Sequence, residues 1–469
     1  MSSDKILRLV KLKICTDSRN IVPGCVFIAI KGTNLNGEEF IEEAIKKGAA
    51  YVVVSKHYKS TQILSPHIYI RVNNVRRFLS KLAANKYRRE IPNIVAITGT
   101  NGKTSVAHFF QKLCSLANYK AASIGTLGVI GIDDQDLEVP KLTTLPPLEL
   151  HKALAHLADK NFSHIAIEAS SHGVEQHRVD NINFQAAAFT NLTQDHLNYH
   201  GNLENYFAAK VRLFKEILPT SGTAIINADT THGKELIKIC EKRFIRVIDY
   251  GLQANNLRIN SFKTNETTLF GNKYNLNRNI QGNFQLYNML AAIGLAYSCG
   301  IGLETILANI KYLRAPKGRF EYIVSINRAD IYIDYAHTPD SLKKVLQIAK
   351  EICKGKLHVV FGCGGDRDKG KRSLMGQVAN DQADFTYITD DNPRTENADL
   401  IREEIQRHCV KGIDINNRAV AISYAIQQLE PQDILVIAGK GHEEYQIIGD
   451  KEFFFSDHEK VKNNFLAMQ

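Results

Sequence analysis

Short apolar runs rich in Val and Ile recur along this chain, and each is followed at once by a polar loop. In chain order they are "NIVAITGTNGKTS", "HIAIEASSHG", "AAFTNLTQDH", "LHVVFGCGGD", "FTYITDDNPR" and "ILVIAGKGHE". The apolar parts do not alternate with polar residues, which is typical of strands buried on both faces of a parallel sheet. The sequence therefore predicts an α/β fold, in which ligands bind at the loops that follow the carboxyl ends of the strands.

Two breaks divide the chain, whose 469 residues exceed what one compact core supports. A basic stretch with a proline, "KYRREIP", covers residues 86–92, and "RAPKGR" covers residues 314–319 after a long helical pattern. We predict three domains: a small N-terminal domain at 1–89, a central domain at 90–314 and a C-terminal domain at 315–469.

Composition and charge narrow the class of protein. The net charge of +10 favours an acidic partner, and because the basic residues are dispersed and Trp is absent, we expect a phosphorylated small molecule rather than nucleic acid. The eight cysteines show no C-x-x-C spacing, so we expect reduced thiols in a cytoplasmic protein. Lysines break every early apolar run, so we expect neither export nor membrane insertion.

The stretch "ITGTNGKTS" is typical of a phosphate-binding loop. Gly99 and Gly102 let backbone N–H groups face an anion at a helix N-terminus, Lys103 would reach the β and γ phosphates, and Thr104 would ligate Mg²⁺. The match is to a shorter G-x-x-G-K-T variant. The alternative is a glycine-rich turn that binds nothing.

"TGTNGKTS", "EASSHG" and "NLTQDHLNYHG" together resemble the Mur ligase family of ATP-dependent amide ligases. The resemblance extends to "TDSRNIVPGCVFIAIKGTNLNGEEF" near the start and to "GNFQLYNMLAA", "KGRFE", "DYAHTPDS", "FGCGGDRDKGKR", "DDNPRTE" and "GKGHEEYQ". It implies a UDP-binding N-terminal α/β domain, a central P-loop ATPase-like parallel sheet and a Rossmann-like C-terminal domain. It also implies a monomer that uses ATP and Mg²⁺ to activate a substrate carboxylate as an acyl phosphate.

The resemblance assigns ATP contacts and metal ligands. The implied ATP-binding residues are Gly99, Thr100, Asn101, Gly102, Lys103, Thr104, Ser105, Asn288, Arg319 and Asp334. The implied catalytic residues are Lys103, Glu168, His196 and Lys210. The implied metal ligands are Thr104, Glu168, His196 and Lys210 as a carbamate.

The residues alone leave two of these assignments open. A lysine on an apolar helix face loses solvation, so its neutral amine can react with carbon dioxide, although Lys210 could instead extend to solvent. Mg²⁺ prefers oxygen donors, and Glu168 with the histidines of 172–200 could suggest zinc, although no zinc-type spacing is present.

The resemblance also implies two substrates, UDP-N-acetylmuramoyl-L-alanyl-D-glutamate and meso-diaminopimelate. The implied UDP-substrate contacts are Ser18, Thr33, Asn34, Leu35, Thr143, Thr144, Ser170, Gln176 and Arg178. The implied diaminopimelate contacts are Arg367, Asp391, Asn392, Pro393, Arg394, Gly439 and Glu443.

Arg394 decides between two amino acids in this interpretation. Pro393 stiffens the turn and aims the next side chain, and an arginine fork suits the second carboxylate that diaminopimelate has and lysine lacks. The alternative is that Arg394 forms a surface ion pair with Asp390 or Glu396, which is worth little.

Other functions stay open at this point. The chain could be the lysine-adding version of the ligase, a folylpolyglutamate synthetase, a nucleic-acid-stimulated P-loop ATPase, or a ligase homologue that only binds. The UDP-type N-terminal segment and "DNPR" argue against the second, and the intact Lys103, Glu168, His196 and Lys210 argue against the last.

Overall fold

The computed structural model describes residues 3–32, 35–59, 68–133, 137–276, 280 and 282–467. The contacts predicted at Thr33 and Asn34 lie outside these residues. The chain forms two compact units, the first being Met1–Leu276 with Asn288–Ile310 and the second Asn277–Tyr287 with Lys311–Gln469.

Helices of one to four turns connect most of the strands. The α-helices are α1 Ser3–Leu9, α2 Ile41–Lys46, α3 Val75–Lys86, α4 Lys103–Leu116, α5 Pro147–Asp159, α6 Ser171–Glu175, α7 Leu197–His200, α8 Leu203–Arg212, α9 Thr231–Lys242, α10 Asn283–Ser298, α11 Leu303–Asn309, α12 Pro339–Ile352, α13 Gly370–Gln382, α14 Ala398–Gln406, α15 Arg418–Gln427 and α16 Asp457–Ala467. Short 3₁₀ turns lie at Ser18–Asn20, Gly37–Phe40 and Ile310–Tyr312, and a π-helical turn at Leu213–Ile217 extends α8.

The strands of the first unit are β1 Ile14–Cys15, β2 Val26–Ile28, β3 Tyr51–Ser55, β4 Tyr69–Val72, β5 Asn93–Thr98, β6 Ala121–Gly125, β7 Gly128–Ile130, β8 His164–Glu168, β9 Ala186–Phe189, β10 Thr223–Asn227, β11 Arg246–Gly251, β12 Leu257–Ser261, β13 Glu266–Leu269 and β14 Asn272–Asn275. Those of the second unit are β15 Glu321–Ile326, β16 Ala329–Asp334, β17 Leu357–Phe361, β18 Phe385–Ile388, β19 Gly412–Asp414, β20 Ile434–Ala438, β21 Tyr445–Ile448 and β22 Lys451–Phe454.

The first unit contains two sheets. Strands β1 to β4 form a parallel sheet in chain order, with apolar clusters on both faces. The larger sheet has the order β14-β13-β12-β11-β10-β9-β5-β8-β6-β7 and is parallel from β12 to β6. The apolar runs at β5, β8 and β9 are buried along almost their whole length. The predicted α/β fold with a central parallel sheet is confirmed.

Sheet topology places a ligand crevice at β5 and β8, which are neighbours in the large sheet. The connection from β5 leads to β6 on one side, whereas the connection from β8 leads to β9 on the other. Where neighbouring connections leave in opposite directions, the loops separate and open a crevice at the carboxyl ends. The glycine-rich loop follows β5, and Glu168 ends β8.

The second unit is built on a six-stranded sheet of order β15-β16-β20-β17-β18-β19. Only β15 runs antiparallel among its pairings, and the remainder is parallel. Strands β21 and β22 form a separate hairpin. The runs predicted as buried strands, β17, β18 and β20, lie at the centre of this sheet.

The predicted domain boundaries remain a prediction. The four-stranded sheet ends at Val72 and the ten-stranded sheet begins at Asn93, so each lies on its own side of the boundary expected near residue 89. Over the described residues, no helix is both long enough and apolar enough to cross a bilayer.

Candidate active site

The loop after β5 has the backbone that a phosphate-binding loop requires. Gly99 has a φ of 146° and Gly102 a φ of 89° immediately before α4. A Cβ at Gly99 would lie 1.9 Å from Thr190 Oγ1, and one at Gly102 would lie 2.4 Å from Asn288 Oδ1. Both positions therefore exclude any side chain, and the predicted ATP residue Asn288 contacts this loop.

Two lysine amines converge on one carbonyl of this loop. Lys103 Nζ donates to Gly99 O at 2.9 Å, and Lys210 Nζ donates to the same oxygen at 2.8 Å. Lys210 is 1% exposed, and its amine lies 4.3 Å from the centre of the Tyr206 ring. Burial, and then the charge of Lys103, hold the pKa of Lys210 well below its usual range. The lysine thus stays inside rather than extending to solvent.

Glu168 presents its carboxylate to the same loop. Its Oε2 accepts from Thr104 Oγ1 at 3.0 Å and from Thr126 Oγ1 at 3.1 Å, and its Oε1 accepts from Thr126 N at 3.0 Å. Gly125 leaves room for it, because a Cβ there would lie 2.1 Å from Oε1. A hydroxyl and a carboxylate held together supply oxygen donors, which fit a Mg²⁺ ion.

His196 lies in the loop before α7 and has a φ of 53°. Its Nε2 is 3.5 Å from an Asp195 carboxylate oxygen, and its ring centre is 4.9 Å from that of His172. His177 contacts Asp180 instead, with 2.9 Å between its Nδ1 and an Asp180 carboxylate oxygen. Among the described residues, no group of three or more His, Cys, Asp or Glu side chains is arranged to hold a metal ion.

The residues predicted to contact the phosphate, sugar and dipeptide of the UDP-linked substrate form one hydrogen-bonded group beside Glu168. Thr144 Oγ1 donates to Glu168 O at 2.7 Å and lies 3.0 Å from Ser170 Oγ. Thr143 Oγ1 is 3.1 Å from Thr126 Oγ1. Arg178 donates to Thr144 O at 2.7 Å and to Gln176 Oε1 at 2.8 Å. These five predicted residues are therefore neighbours.

The N-terminal contacts lie in the four-stranded part of the first unit. Ser18 is buried at the start of a 3₁₀ turn, and its carbonyl accepts from Lys47 Nζ at 3.1 Å. Leu35 is 66% exposed next to the bridge between Lys31 and Asn36.

In the second unit, Asn392 joins the loops after β18 and β20. Its Oδ1 accepts from Lys440 Nζ and from Ile447 N, both at 3.0 Å, and its Nδ2 donates to Glu443 Oε2 at 3.2 Å. Gly439 has a φ of 112°, and a Cβ there would lie 2.9 Å from Asp391 Oδ2. The predicted diaminopimelate residues Asp391, Asn392, Gly439 and Glu443 are thus brought together.

Two carboxylates and a buried lysine set the charge of this site. Burial raises the pKa of Glu443, and the neighbouring charge of Asp391 raises it further. Burial would also raise the pKa of Asp391, but Lys440 and then Arg418 outweigh it and lower that pKa. Lys440 is fully buried, 3.6 Å from Glu443 Oε2. The site can therefore accept a cationic group.

Arg394 is fixed in the turn that Pro393 precedes, with a φ of 51°. Its backbone pairs with the β21–β22 hairpin: Arg394 N donates to Ile447 O at 3.1 Å, and Gly449 N donates to Arg394 O at 2.8 Å. Its Nη1 donates to the carbonyls of Gly365 at 2.8 Å and Asn392 at 3.4 Å. The guanidinium is therefore held by main-chain oxygens.

The ion-pair alternative for Arg394 does not match these contacts. Asp390 pairs with Arg402, and Glu396 pairs with Arg372 at 2.9 Å. Arg367, by contrast, is exposed and donates only weakly, at 3.5 Å, to Asp366 O.

Arg319 and Asp334, predicted ATP contacts, belong to the second unit. Asp334 Oδ2 accepts from Phe320 N at 2.6 Å and its Oδ1 from Ala336 N at 2.7 Å, while burial raises its pKa to about 6. The Arg319 guanidinium lies 4.6 Å from the centre of the Tyr335 ring.

Sequence reasoning missed several neighbours of these residues. Thr126, Lys440, Gln446 and Arg76 contact predicted site residues directly. Lys440 stands inside the quoted "GKGHE" stretch, so its motif could have indicated it. Thr126 and Arg76 lie outside the quoted motifs, and no signal pointed to them.

Comparisons with known proteins agree along the chain. The Mur ligase middle domain matches residues 97–296, the Mur ligase glutamate ligase domain residues 318–441, and the Mur ligase family catalytic domain residues 13–87. A UDP-N-acetylmuramoyl-L-alanyl-D-glutamate--2,6-diaminopimelate ligase from Rhizobium meliloti (strain 1021) is 40% identical over 96% of this chain and 93% of its own. One so named from Rickettsia montanensis is 41% identical, covering 95% and 94%.

A solved structure of a UDP-N-acetylmuramoyl-L-alanyl-D-glutamate--2,6-diaminopimelate ligase is similar in fold, with a TM-score of 0.68 and 31% identity. The match covers 97% of this chain and 95% of that one. The chain belongs to the Mur ligase family.

Proposed function

We propose that this chain joins meso-diaminopimelate to UDP-N-acetylmuramoyl-L-alanyl-D-glutamate and consumes ATP to do so. The observation that carries the proposal is the likeness, along nearly the whole chain, to relatives that are named as 2,6-diaminopimelate ligases acting on UDP-N-acetylmuramoyl-L-alanyl-D-glutamate. The glycine-rich loop with its converging lysines supports the use of ATP, because positioning and charge neutralisation supply most of the catalysis in phosphoryl transfer.

The first unit would carry the activation of the carboxylate. The loop from Gly99 to Ser105 holds the phosphates through its backbone N–H groups, and Lys103 neutralises charge that develops on them. Thr104, Glu168 and His196 are the proposed ligands of Mg²⁺. When bound, this ion polarises phosphoryl oxygens. The peptide carboxylate attacks the terminal phosphate of ATP, ADP leaves, and an acyl phosphate forms.

Lys210 is proposed to act as a carbamate. Its amine is buried and its pKa is lowered, so the neutral form that attacks carbon dioxide is available. Bond formation between nitrogen and carbon, with loss of one proton, converts a buried base into an oxygen donor beside the phosphate loop. Such a group would assist Thr104 and Glu168 in holding metal.

The second unit would select the amino acid. Arg394 is proposed to bind the second carboxylate of diaminopimelate, and Asp391 and Glu443 its distal ammonium, with Arg367, Asn392, Pro393 and Gly439 completing the site. The amine at the other end attacks the acyl phosphate, an amide bond forms, and inorganic phosphate leaves. Arg319 and Asp334 are proposed as further ATP contacts.

The UDP-linked substrate would be bound by residues from two regions of the first unit. Ser18, the loop from Thr33 to Leu35, Thr143, Thr144, Ser170, Gln176 and Arg178 would bind the UDP-linked substrate. The chain would work as a monomer of three domains, at 1–89, 90–314 and 315–469. It would act in the cytoplasm, where ATP and UDP-linked precursors are available.

The test is a reconstituted assay with product identification. Purified protein is given ATP, Mg²⁺ and the UDP-linked dipeptide, with meso-diaminopimelate, with L-lysine or with neither, and ADP release and product mass are measured. We expect ADP only with diaminopimelate, and a product heavier by one diaminopimelate residue. Turnover with a folate and glutamate, or ATP hydrolysis that rises with DNA or RNA and ignores amino acids, would contradict the proposal.

A further inference from the structure

Arg76, the second residue of α3, lies between two groups of predicted substrate contacts. Its Nη2 donates to the carbonyl of Lys31 at 2.8 Å, and its Nη1 donates to Gln176 Oε1 at 3.4 Å. Lys31 forms a β-bridge with Asn36, and Leu35 directly precedes Asn36. Arg76 therefore connects the Lys31–Asn36 bridge, beside Leu35, with Gln176, which is proposed to bind the phosphate, sugar and dipeptide part of the UDP-linked substrate.

A second arginine reaches the same amide oxygen. Arg178 donates to Gln176 Oε1 from Nη2 at 2.8 Å and from Nε at 3.3 Å, while its Nη1 binds Thr144 O. Gln176 in turn donates to Tyr199 OH at 3.2 Å. Two guanidinium groups thus converge on one neutral oxygen, which leaves their charges uncompensated at the point of contact.

Nearby arginines show a different arrangement. Arg212 and Arg77 share Asp180, at 2.6 Å and 3.7 Å. Among the described residues, neither Arg76 nor Arg178 has a carboxylate within ion-pair distance. The groups that act on them favourably are Tyr199 for both, the more distant Glu175 for Arg76 and the more distant Glu149 for Arg178. Burial lowers the pKa of both guanidinium groups, and the charge of Arg76 lowers that of Arg178 further. Two half-buried like charges are costly unless an anion joins them.

The order of groups along the substrate indicates which anion this is. Thr144 and Ser170 are hydrogen-bonded to each other beside Glu168, where the reacting carboxylate belongs, and Arg76 contacts both Gln176 and the carbonyl of Lys31, which forms a β-bridge with Asn36. In the UDP-linked dipeptide the diphosphate stands between the uridine and the sugar that carries the peptide. A planar arginine fork matches phosphate oxygens in both geometry and charge.

We propose that Arg76 and Arg178 form a two-arginine site for the UDP-linked substrate in which Arg76 contacts the diphosphate. This inference rests on the proposed function and adds Arg76 to the residues that bind this substrate. A carboxylate of the dipeptide is the other anion that the same pair could bind.

The test measures substrate binding and kinetics in Arg76→Gln. We expect the Kd of the UDP-linked dipeptide, by titration calorimetry without ATP or amino acid, to rise about 10- to 100-fold, the loss typical of a charge-assisted hydrogen bond. KM for this substrate should rise with it, while KM for ATP and for diaminopimelate stays within about twofold. Arg76→Lys should recover part of the affinity, because it keeps the charge without the fork.

Truncated substrates distinguish the two anions. With the muramoyl dipeptide that lacks UDP, Arg76→Gln should cost nothing further if Arg76 contacts the diphosphate. A loss equal to that with the full substrate, abolished when the α-carboxylate of D-glutamate is amidated, would assign Arg76 to the peptide instead and overturn the diphosphate contact.

Lys81→Gln is the matched control, since it removes one charge from the exposed side of α3. It should leave every constant unchanged, and both variants should melt within a few degrees of the wild type. An unchanged Kd in Arg76→Gln, or an equal loss in Lys81→Gln, would overturn the proposal. The binding measurement needs no turnover. A wild type that binds the UDP-linked dipeptide but ligates nothing would contradict the proposed function, and the Kd of Arg76→Gln would still test the contact of Arg76 with this substrate.

Discussion

The candidate sites of the two units hold their lysine side chains in different ways. In the first unit, Lys103 and Lys210 donate to the carbonyl of Gly99. In the second unit, Lys440 stands with Asp391 and Glu443, and Arg418 pairs with Asp457 at 2.8 Å with both side chains fully buried. The first arrangement places two amines on one neutral carbonyl oxygen, and the second pairs cations with carboxylates.

This difference separates two kinds of ligand. Lysine amines held at a glycine-rich loop suit phosphates, whose negative charge a lysine such as Lys103 neutralises during transfer. A balanced set of acids and bases suits an amino acid that carries both charges. If the comparison is right, changes in the first unit abolish turnover with every amino acid, whereas changes in the second alter which amino acid is used.

The largest effect is expected at Lys103. Lys103→Met removes the cation beside Gly99. We expect kcat to fall on the order of 10⁴-fold, the effect of losing a cationic side chain that stabilises a transferring phosphoryl group. The measurement is ADP release with diaminopimelate and with lysine. The matched control is Lys112→Met, which removes an exposed lysine from the same helix and should retain wild-type rates. A Lys103→Met enzyme that loses only diaminopimelate preference would break the comparison.

A smaller loss is expected at Lys210. Lys210→Ala removes the buried amine and its carbamate, and kcat should fall on the order of 10³-fold. Acetate added at high concentration should restore part of this rate, because a small carboxylate can occupy the space and supply the missing oxygens. Lys215→Ala, on the exposed side of the π-helical turn, should keep wild-type activity. Full activity in Lys210→Arg would show that charge alone matters and would contradict the carbamate.

The smallest effect is expected at His151 on α5, a further buried base of the first unit, which should make the free energy of unfolding depend on pH. Burial lowers its pKa to about 4, and its Nε2 has no partner among the described residues. The pKa of His151 in the folded protein lies below its usual value of about 6.5, so between these two values the unfolded chain binds a proton that the folded protein does not. The free energy of unfolding is therefore highest above pH 6.5 and decreases as pH falls towards 4. At pH 5 the loss should be about 2 kcal/mol.

Hydrogen exchange of the α5 amides, corrected for intrinsic rates, measures this effect at pH 7 and pH 5. His151→Phe should remove about that much of the pH dependence. His156→Phe, on the same helix, should retain all of it. Equal pH dependence in the wild type and His151→Phe would contradict the assignment.

Much of the fold followed from local patterns, because buried parallel strands are read directly from uninterrupted apolar runs. The runs at β5, β8, β17 and β20 became central strands. The residues alone left open whether Lys210 extends to solvent, and the structure buries it. Contacts between distant segments could not be predicted in this way. Thr126 binds Glu168 across 42 residues and Arg76 binds Gln176 across 100, and neither carries a periodic signal.

At Arg394, one feature could be predicted from the local sequence and another could not. The proline before it predicted a stiff turn, but the φ of 51° and the pairing with the β21–β22 hairpin come from residues 447–449, which no local pattern connects to the turn. Pro393 restricts the turn, the hairpin fixes the backbone of Arg394, and the carbonyl of Gly365 fixes its guanidinium.

The proposed role of Arg394 is to bind the carboxylate that distinguishes diaminopimelate from lysine. The most direct measurement is the ratio of kcat/KM for meso-diaminopimelate to that for L-lysine, in the wild type and in Arg394→Asn. Asn tolerates a φ of 51° and removes the guanidinium, so the turn is kept while the fork is lost. Arg407→Asn, which breaks an exposed pair with Glu403, is the control.

We predict that the wild type prefers diaminopimelate and that Arg394→Asn lowers the ratio about 100-fold. Only kcat/KM for diaminopimelate should fall, because its second carboxylate is then left without a charged partner. Arg407→Asn should keep the wild-type ratio. A ratio unchanged in Arg394→Asn, or equal use of both amino acids by the wild type, would contradict the claim.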